Sequence, residues 1–251
     1  MKLKYLFVTA LVGLLAVSVV LNYFFYKKAF LPLHAVKLDP LELSYYPSTS
    51  APEATNSVMF YGDSRALSWP FPKNTGQEFV NRAIGNQTSV QILGRFDTHV
   101  APHKPKTILI QVCVNDLKMI PLFPDRKEQI IEACKSNITA LLEKSHALGA
   151  QVILSTVFPL GDVSIARQAL GTTEPPIIDG ISRINDFIKT QQSDNTVIFD
   201  SYELLLGENN KIDPQYSHDW LHLNKAGYEH LNQVLSILIN IFTREKTKQI
   251  K

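Results

Sequence analysis

Two short stretches that lie far apart in the sequence carry the residue types needed for nucleophilic chemistry. The first is Gly62-Asp63-Ser64, which follows the apolar run SVMFY at residues 57–61, and the second is SHDWLH at residues 217–222. A serine hydroxyl is a poor nucleophile near neutral pH and needs a base within hydrogen-bond reach, itself oriented by a third group. A serine, a histidine and an aspartate from these two stretches would supply all three groups.

His222 is the best placed of the seven histidines to act as the base. Asp219 precedes it by three residues, and positions i and i+3 share a face in a turn or an incipient helix. Asp219 can therefore accept a hydrogen bond from one imidazole nitrogen while the other nitrogen faces Ser64. His218 is the alternative base, but no carboxylate is offset from it in the same way.

The elements that would position these residues alternate between short apolar runs and amphipathic stretches. Runs rich in Val, Ile and Leu predict strands at 57–61, 78–84, 107–114, 151–158 and 195–200. Helices are predicted near 88–100, 126–148 and 177–191 and from about 225 to 243. Continuous apolar strands separated by helices are typical of a parallel sheet that is covered on both faces. The sequence therefore predicts a three-layer α/β/α fold, with a doubly wound parallel sheet of about five strands.

Three polar segments follow the first three predicted strands. Ser64 follows the first strand, Gly85 follows the second, and Asn115-Asp116 follows the third. Ligands of such sheets bind outside the carboxyl ends of the strands. We therefore expect these segments to line one site at the same edge of the sheet.

With these blocks the sequence resembles the SGNH hydrolase superfamily, also called GDSL esterases and lipases. Four blocks match in order: Gly62-Asp63-Ser64, the Gly85 loop in NRAIGNQTS, Asn115-Asp116, and the DxxH block at residues 219–222. Each block alone occurs often by chance, and a GDS sequence is also typical of a turn with an N-capping serine. The ordered set spans nearly all of residues 57–230, and it implies the flavodoxin-like SGNH fold and a serine hydrolase acting on carboxylic esters.

The resemblance implies a catalytic triad of Ser64, His222 and Asp219. It also implies an oxyanion hole formed by the backbone N–H groups of Ser64 and Gly85 and the side-chain amide of Asn115. Such donors stabilise the negatively charged oxygen of the tetrahedral intermediate. A glycine lets its N–H approach the substrate closely, and an asparagine amide donates without adding charge. No metal or organic cofactor is needed for this mechanism.

The sequence departs from the family pattern at two positions. Cys113 stands where the third block usually has glycine, which leaves the placement of Asn115 open, and Arg65 follows the serine in place of leucine. We consider Arg65 either a contact for an acidic or phosphorylated substrate or a cap at the rim of the sheet. Trp69 and Phe71, in SWPFP, either line an acyl or leaving-group pocket or pack in a lid.

The first 28 residues predict a membrane anchor. The run 5–26 has no charged side chain, and at about 1.5 Å per helical residue it reaches about 33 Å, enough to cross the hydrocarbon core of a bilayer. A cleavable signal peptide usually has an apolar stretch of only about 7–15 residues, so we expect an uncleaved signal anchor. The alternative is that the run is removed and the product released.

The sequence indicates the orientation of the anchor in the membrane less clearly than the anchor itself. Two lysines precede the apolar run and two follow it, so the positive-inside rule barely discriminates. We place the domain on the extracytoplasmic side because a lone N-terminal anchor usually exports the domain attached to its C-terminal end. Residues 29–56, rich in Pro, Ser and Thr, predict a linker, and residues 57–251 predict the SGNH hydrolase domain.

The composition limits the remaining functions. A net charge of +2, with no long run of Lys and Arg in the body of the chain, gives little support to nucleic-acid binding. Cys113 and Cys134 belong to no CxxC motif or Cys/His cluster, and they predict two buried free thiols with neither a structural metal nor a disulfide framework.

The sequence thus predicts a membrane-anchored serine esterase. Its substrate would be an O-acyl or O-acetyl ester of an envelope polysaccharide, a lipid or a small diffusible molecule. Two alternatives stay open: an acyltransferase that uses the same residues, and a non-catalytic carbohydrate- or envelope-binding domain that has kept the fold.

Overall fold

The computed structural model describes residues 2–46 and 57–249, with only the backbone of 242–249. The chain forms two compact units, Met1–Tyr45 and Tyr46–Lys251. The first unit is helical, and the second contains every strand of the described residues.

The first unit is a nearly continuous helix. α1 (Lys2–Phe25) passes through a π-helical turn at Tyr26–Phe30 into α2 (Leu31–Leu38). None of the residues in these segments is buried within the unit. The helix Lys2–Leu38 is long and apolar enough to cross a membrane, which makes it a candidate transmembrane anchor.

The predicted linker is therefore partly wrong. Residues 29–38 continue the helix instead of forming an irregular segment. Pro32 lies in the first turn of α2, where its missing N–H is tolerated, and the wider π-helical turn directly precedes it. The part of the predicted linker at 47–56 lies outside the described residues.

The second unit is built on five parallel strands in the order β2-β1-β3-β4-β5. The strands are β1 (Ser57–Gly62), β2 (Glu78–Asn81), β3 (Thr107–Gln111), β4 (Gln151–Ser155) and β5 (Thr196–Phe199). The chain runs outward from β1 to β2 and then returns to build the other half of the sheet. The order therefore reverses between β1 and β3, which is where doubly wound sheets bind their ligands. This arrangement confirms the predicted fold class.

Nine α-helices belong to the described residues of the second unit. They are α3 (Ser64–Leu67), α4 (Ser89–Gly94), α5 (Phe96–His99), α6 (Val114–Leu117), α7 (Lys127–Ala147), α8 (Ile165–Ala169), α9 (Glu174–Lys189), α10 (Ser201–Leu205) and α11 (Lys225–Gln249). The helix predicted near 88–100 is divided into α4 and α5 at Arg95.

The core lies on both faces of the sheet. Met59 and Tyr61 belong to the buried cluster that contains residues of α7 and α9. Val58 and Phe60 belong to the cluster on the other face, which contains residues of α11. Because successive strand side chains point to opposite faces, both sets must be apolar, and β1 reads as a continuous apolar run.

Candidate active site

The nucleophile loop begins where β1 ends. A Cβ atom at Gly62 would lie 1.9 Å from the backbone oxygen of Gln111. Only glycine therefore fits at this position, where β1 pairs with β3. Asp63 caps α3 by accepting a hydrogen bond from the backbone N–H of Arg65 at 2.9 Å. Ser64 is the first residue of α3 and is half-buried.

The structure brings the three predicted residues of the triad together. The Oγ atom of Ser64 lies 3.0 Å from Nε2 of His222, although 158 positions separate them in sequence. The Nδ1 atom of His222 lies 3.0 Å and 3.1 Å from the two carboxylate oxygens of Asp219. His218, the alternative base, is exposed, and within the described residues its ring makes no hydrogen bond.

The local fold holds Asp219 as a charged acceptor. Burial raises the pKa of this carboxyl group, but the hydrogen bonds from the His222 ring and from the backbone N–H groups of Leu221 and His222 outweigh it and hold the pKa below its usual range. An ionised Asp219 favours the proton on Nδ1 of His222. The Nε2 atom is then free to accept the proton of Ser64.

The second loop packs directly against the nucleophile. A Cβ atom at Gly85 would lie 3.8 Å from Cβ of Ser64. The preceding N–H, from Ile84, donates to the oxygen of Gly62 at 3.1 Å and fixes this loop to the end of β1. Within the described chain, no residue accepts a hydrogen bond from the N–H of Gly85 or of Ser64. These two donors are available to a ligand.

The third loop is tied to the second through Asn115. Its Nδ2 atom donates to the backbone oxygen of Gln87 at 2.9 Å, and its Oδ1 atom is buried with no partner among the described residues. A side-chain amide carries two N–H donors. One N–H of Asn115 fixes the side chain beside the Gly85 loop, and the other has no acceptor among the described residues.

The backbone conformation at Cys113 explains why the family usually has glycine at this position. Its φ is +84°, in the left-handed region, where a side chain is disfavoured. The strand-to-helix turn keeps its geometry in spite of the thiol, because α6 begins at Val114 and places Asn115 in its first turn.

A buried polar group supports the turn from below. The Sγ atoms of Cys113 and Cys134 and a carboxylate oxygen of Asp116 lie within 4.8 Å of one another. Both oxygens of Asp116 accept hydrogen bonds from Ser89, at 2.8 Å from its N–H and 2.7 Å from its hydroxyl. Burial raises the pKa of the Cys113 thiol and of the Asp116 carboxyl group. The group links the start of α4 to α6, and both cysteines are free and buried, as predicted.

Arg65 does not face the substrate. Its side chain is completely buried, and it donates to the backbone oxygens of Leu221 at 2.9 Å, Phe158 at 3.2 Å and Pro159 at 3.3 Å. The expectation of a substrate contact is therefore wrong. Arg65 instead joins α3, which begins with Ser64, to the loop that carries His222.

Trp69 and Phe71 are packing residues. Trp69 is buried against Phe60, Phe158 and Tyr228, and its Nε1 donates to Asn232 at 2.8 Å. Phe71 is partly exposed and stacks on Phe79. Trp69 therefore packs in the core and does not line a pocket, whereas a contact of the exposed Phe71 with substrate stays a prediction.

Arg95 was not predicted to support the site. It is buried, and its guanidinium group donates to the oxygen of Gly62 at 3.0 Å and to Oε1 of Gln87. Arg95 therefore fixes the end of β1 before Ser64. It also fixes Gln87, whose backbone oxygen accepts the hydrogen bond from Asn115. A lone arginine in an amphipathic stretch normally indicates an exposed position, so the sequence carries no signal for this role.

A cavity of about 1010 Å³ adjoins the loop that carries His222. Asp219 and Trp220 line it together with residues near 161 and 207–217, but Ser64 and Gly85 do not. Ser64 and His222 therefore lie outside this cavity, and only Asp219 of the three predicted triad residues reaches it.

The fold and the four loops define a hydrolase of the SGNH type. The sequence pattern of the GDSL-like Lipase/Acylhydrolase family matches residues 54–230. The chain belongs to this family, and the predicted superfamily is confirmed.

Solved structures support the same fold. A GDSL-like lipase from Bacteroides thetaiotaomicron aligns with a TM-score of 0.61 at 21% identity, covering 79% of this chain and 97% of that one. An acetyl xylan esterase, AlAXEase, aligns at 0.53 and 18% identity, covering 71% and 98%. A lipase/acylhydrolase from Enterococcus faecalis aligns at 0.51 and 17% identity, covering 74% and 95%. No curated protein sequence matches the chain significantly.

Proposed function

We propose that the protein is a membrane-anchored serine esterase that hydrolyses a carboxylic O-acyl or O-acetyl ester through an acyl-enzyme on Ser64. Membership of the acylhydrolase family supports ester hydrolysis. The observation that carries the mechanism is the hydrogen-bonded chain from Ser64 through His222 to Asp219, with separations of about 3 Å at both links.

Acylation begins with proton transfer from the Ser64 hydroxyl to Nε2 of His222 as the serine oxygen attacks the ester carbonyl carbon. The carbonyl oxygen becomes an oxyanion that accepts hydrogen bonds from the N–H groups of Ser64 and Gly85 and from the amide of Asn115. When the C–O bond breaks, His222 gives its proton to the departing alcohol. Asp219 stabilises the imidazolium that exists between these two transfers.

Deacylation uses the same groups with water as the nucleophile. His222 accepts a proton from water, the resulting hydroxide attacks the acyl carbon, and the Ser64 oxygen leaves and is reprotonated. An alcohol in place of water would give acyl transfer. The acyltransferase alternative is therefore distinguished from hydrolysis by its product, a new ester instead of a free acid. The solved relatives of similar fold include lipases and an acetyl xylan esterase, which supports both lipid and acetylated-polysaccharide esters as substrate classes. The anchor, with the domain on the extracytoplasmic side, would hold the site near such envelope substrates.

The test compares the full chain, purified in detergent, with its Ser64→Ala variant on p-nitrophenyl esters of increasing acyl length. We expect the substitution to lower kcat by about 10⁴-fold or more and to abolish fluorophosphonate labelling. Ser68→Ala is the matched control, because Ser68 is exposed at the end of the same helix and should change neither reading. Equal labelling of wild type and Ser64→Ala would refute the assignment, and no labelling of folded wild type would favour the non-catalytic binding domain.

A further inference from the structure

Two cationic side chains, Lys118 and Arg167, contact the two loops that meet at Ser64. Lys118, directly after α6, donates from its Nζ atom to Oδ1 of Asn86 at 2.9 Å. Asn86 follows Gly85, whose N–H is the proposed oxyanion donor. The ammonium group is therefore held next to the oxyanion side of the site.

Arg167 contacts the histidine loop. It lies in α8, in the loop region that follows β4, and its guanidinium carbon is 5.4 Å from the centre of the Trp220 ring. Trp220 lies between Asp219 and His222 in the histidine loop. Contact with an aromatic face orients an arginine while its N–H donors stay available.

The charges of these two residues act on each other and on the end of β1. Burial lowers the pKa of Lys118; the carboxyl group of Asp63 opposes this shift, and the guanidinium group of Arg167 adds to it. Charges influence one another in this way only over short distances in a partly screened medium. The contacts agree with this: Lys118 reaches the Gly85 loop through Asn86, Arg167 reaches the histidine loop through Trp220, and Ser64 lies against both loops.

Neither cation has a carboxylate partner among the described residues. Two buried acids, Asp63 and Asp116, act favourably on the charge of Lys118 without forming an ion pair with it. Asp63 is buried with its pKa raised to about 7, and Asp116 is engaged by Ser89. A partly buried ammonium without a counter-ion is unfavourable, and a second cation beside it adds repulsion. A ligand that brings a negative charge would offset both costs.

Resting on the proposed function, we propose that the substrate is an anionic ester whose carboxylate or phosphate group binds between Lys118 and Arg167. The ester carbonyl would then enter the gap between the Gly85 loop and the histidine loop. The shared chemistry is a negative charge close to the scissile ester, as in an acylated acidic sugar or an acidic glycerolipid. Neutral esters would react at the same serine without this contribution to binding.

The experiment measures kcat/KM of the full chain in detergent for 4-acetoxybenzoate and for its neutral methyl ester. We expect the wild type to prefer the anionic ester, and Lys118→Gln and Arg167→Gln each to reduce the ratio of the two values about tenfold. The ratio should also fall at high salt, because the contribution is electrostatic. Lys135→Gln, on α7 and paired with Glu132, removes the same charge elsewhere and should leave the ratio unchanged.

Two further pairs identify the source of the anion. Lysophosphatidylglycerol is compared with lysophosphatidylcholine, and O-acetylated pectate with acetylated xylan. A Lys118-dependent preference in the first pair supports an acidic lipid, and in the second an acidic polysaccharide. An equal loss on charged and neutral esters in Lys118→Gln, or no charge preference in any pair, overturns the proposal while Ser64-dependent hydrolysis stands. Absence of all hydrolysis overturns the esterase proposal as well.

Discussion

At the scale of single residues, Asp63 is the group beside the nucleophile whose chemistry is most altered by the fold. Its side chain is completely buried, its Oδ1 accepts from the N–H of Arg65, and its Oδ2 has no partner among the described residues. Burial raises its pKa to about 7, against the opposing charge of Arg65. The acid beneath Ser64 is therefore partly protonated at neutral pH.

This shift predicts a pH dependence of stability. A carboxyl group whose pKa is higher in the folded than in the unfolded chain binds its proton more tightly when folded. Its contribution to the free energy of unfolding is therefore complete below about pH 4 and is lost as the pH rises to about 7. A rise from 3.8 to about 7 corresponds to a loss on the order of 4 kcal/mol at most. Asp63→Asn should make the free energy of unfolding less dependent on pH in this range.

The measurement is the thermal unfolding temperature of the detergent-solubilised chain between pH 4.5 and 8.5. We expect Asp63→Asn to gain several degrees relative to wild type toward the alkaline end. Asp125→Asn is the control, since Asp125 is exposed and should keep the wild-type slope. Parallel curves for Asp63→Asn and wild type would show that Asp63 does not hold its proton in the folded state.

At the scale of elements, Arg65 connects parts of the chain that periodicity alone cannot relate. It lies in α3, and its three backbone acceptors come from the segment after β4 and from the histidine loop. The hydroxyl of Tyr228, in α11, donates back to the oxygen of Arg65 at 2.9 Å. The segments that carry Ser64 and His222, the proposed nucleophile and base, are thereby joined through a buried guanidinium group.

Replacing Arg65 by methionine should loosen this connection. The change leaves the three backbone oxygens without their donors, at a cost of about 1–3 kcal/mol for each group that stays buried. Because His222 would lose its fixed position, we expect kcat and the rate of fluorophosphonate labelling to fall more than KM rises. Arg126→Met, at an exposed position, is the control. Labelling at the wild-type rate in folded Arg65→Met would rule out a positioning role.

The sequence predicted the elements more completely than their ends. All five strands form, but the strand predicted at 151–158 ends at Ser155. Residues 156–158 are as buried as the strand, and the N–H of Thr156 still bonds to Phe199 in the neighbouring segment. An apolar run shows burial, and burial does not tell a strand from the buried loop that follows it.

The same limit applies to the site. The proximity of Ser64, His222 and Asp219 was predictable, because each has a local signal, a turn or an i, i+3 pair, and because the topology brings strand ends together. The directions of Arg65 and Trp69 were not, since both follow the nucleophile closely but point into the core. Side-chain direction depends on partners more than 90 positions away in sequence, such as Phe158 for Arg65, and spacing contains no information about them.

At the scale of the whole molecule, the N-terminal helix has the properties that a bilayer demands. Every described side chain of α1 is exposed within its unit, as lipid-facing side chains must be. Two of its polar side chains bond to the helix backbone: Asn22 donates to the oxygen of Ser18 at 2.8 Å and Thr9 to that of Tyr5 at 2.9 Å. Internal satisfaction is required where no water is present.

We therefore predict that the chain stays in the membrane with its N-terminus intact. Alkaline carbonate should leave the full chain in the membrane fraction, and its intact mass should include residues 1–28. A chain that lacks residues 2–38 should appear in the soluble fraction with Ser64-dependent activity. A mass that begins beyond residue 28 would instead show that the segment is a cleaved signal sequence.

The orientation should respond to the flanking lysines, because the charges on the two sides are nearly balanced. With alkaline phosphatase fused to the C-terminus, we expect an active reporter, since that enzyme works only outside the cytoplasm. Lys27→Gln with Lys28→Gln removes the positive charge that opposes export and should keep or raise the activity. Lys2→Gln with Lys4→Gln removes charge from the cytoplasmic side and should lower it. The opposite response of the two pairs would place the hydrolase domain in the cytoplasm and remove envelope esters from its substrates.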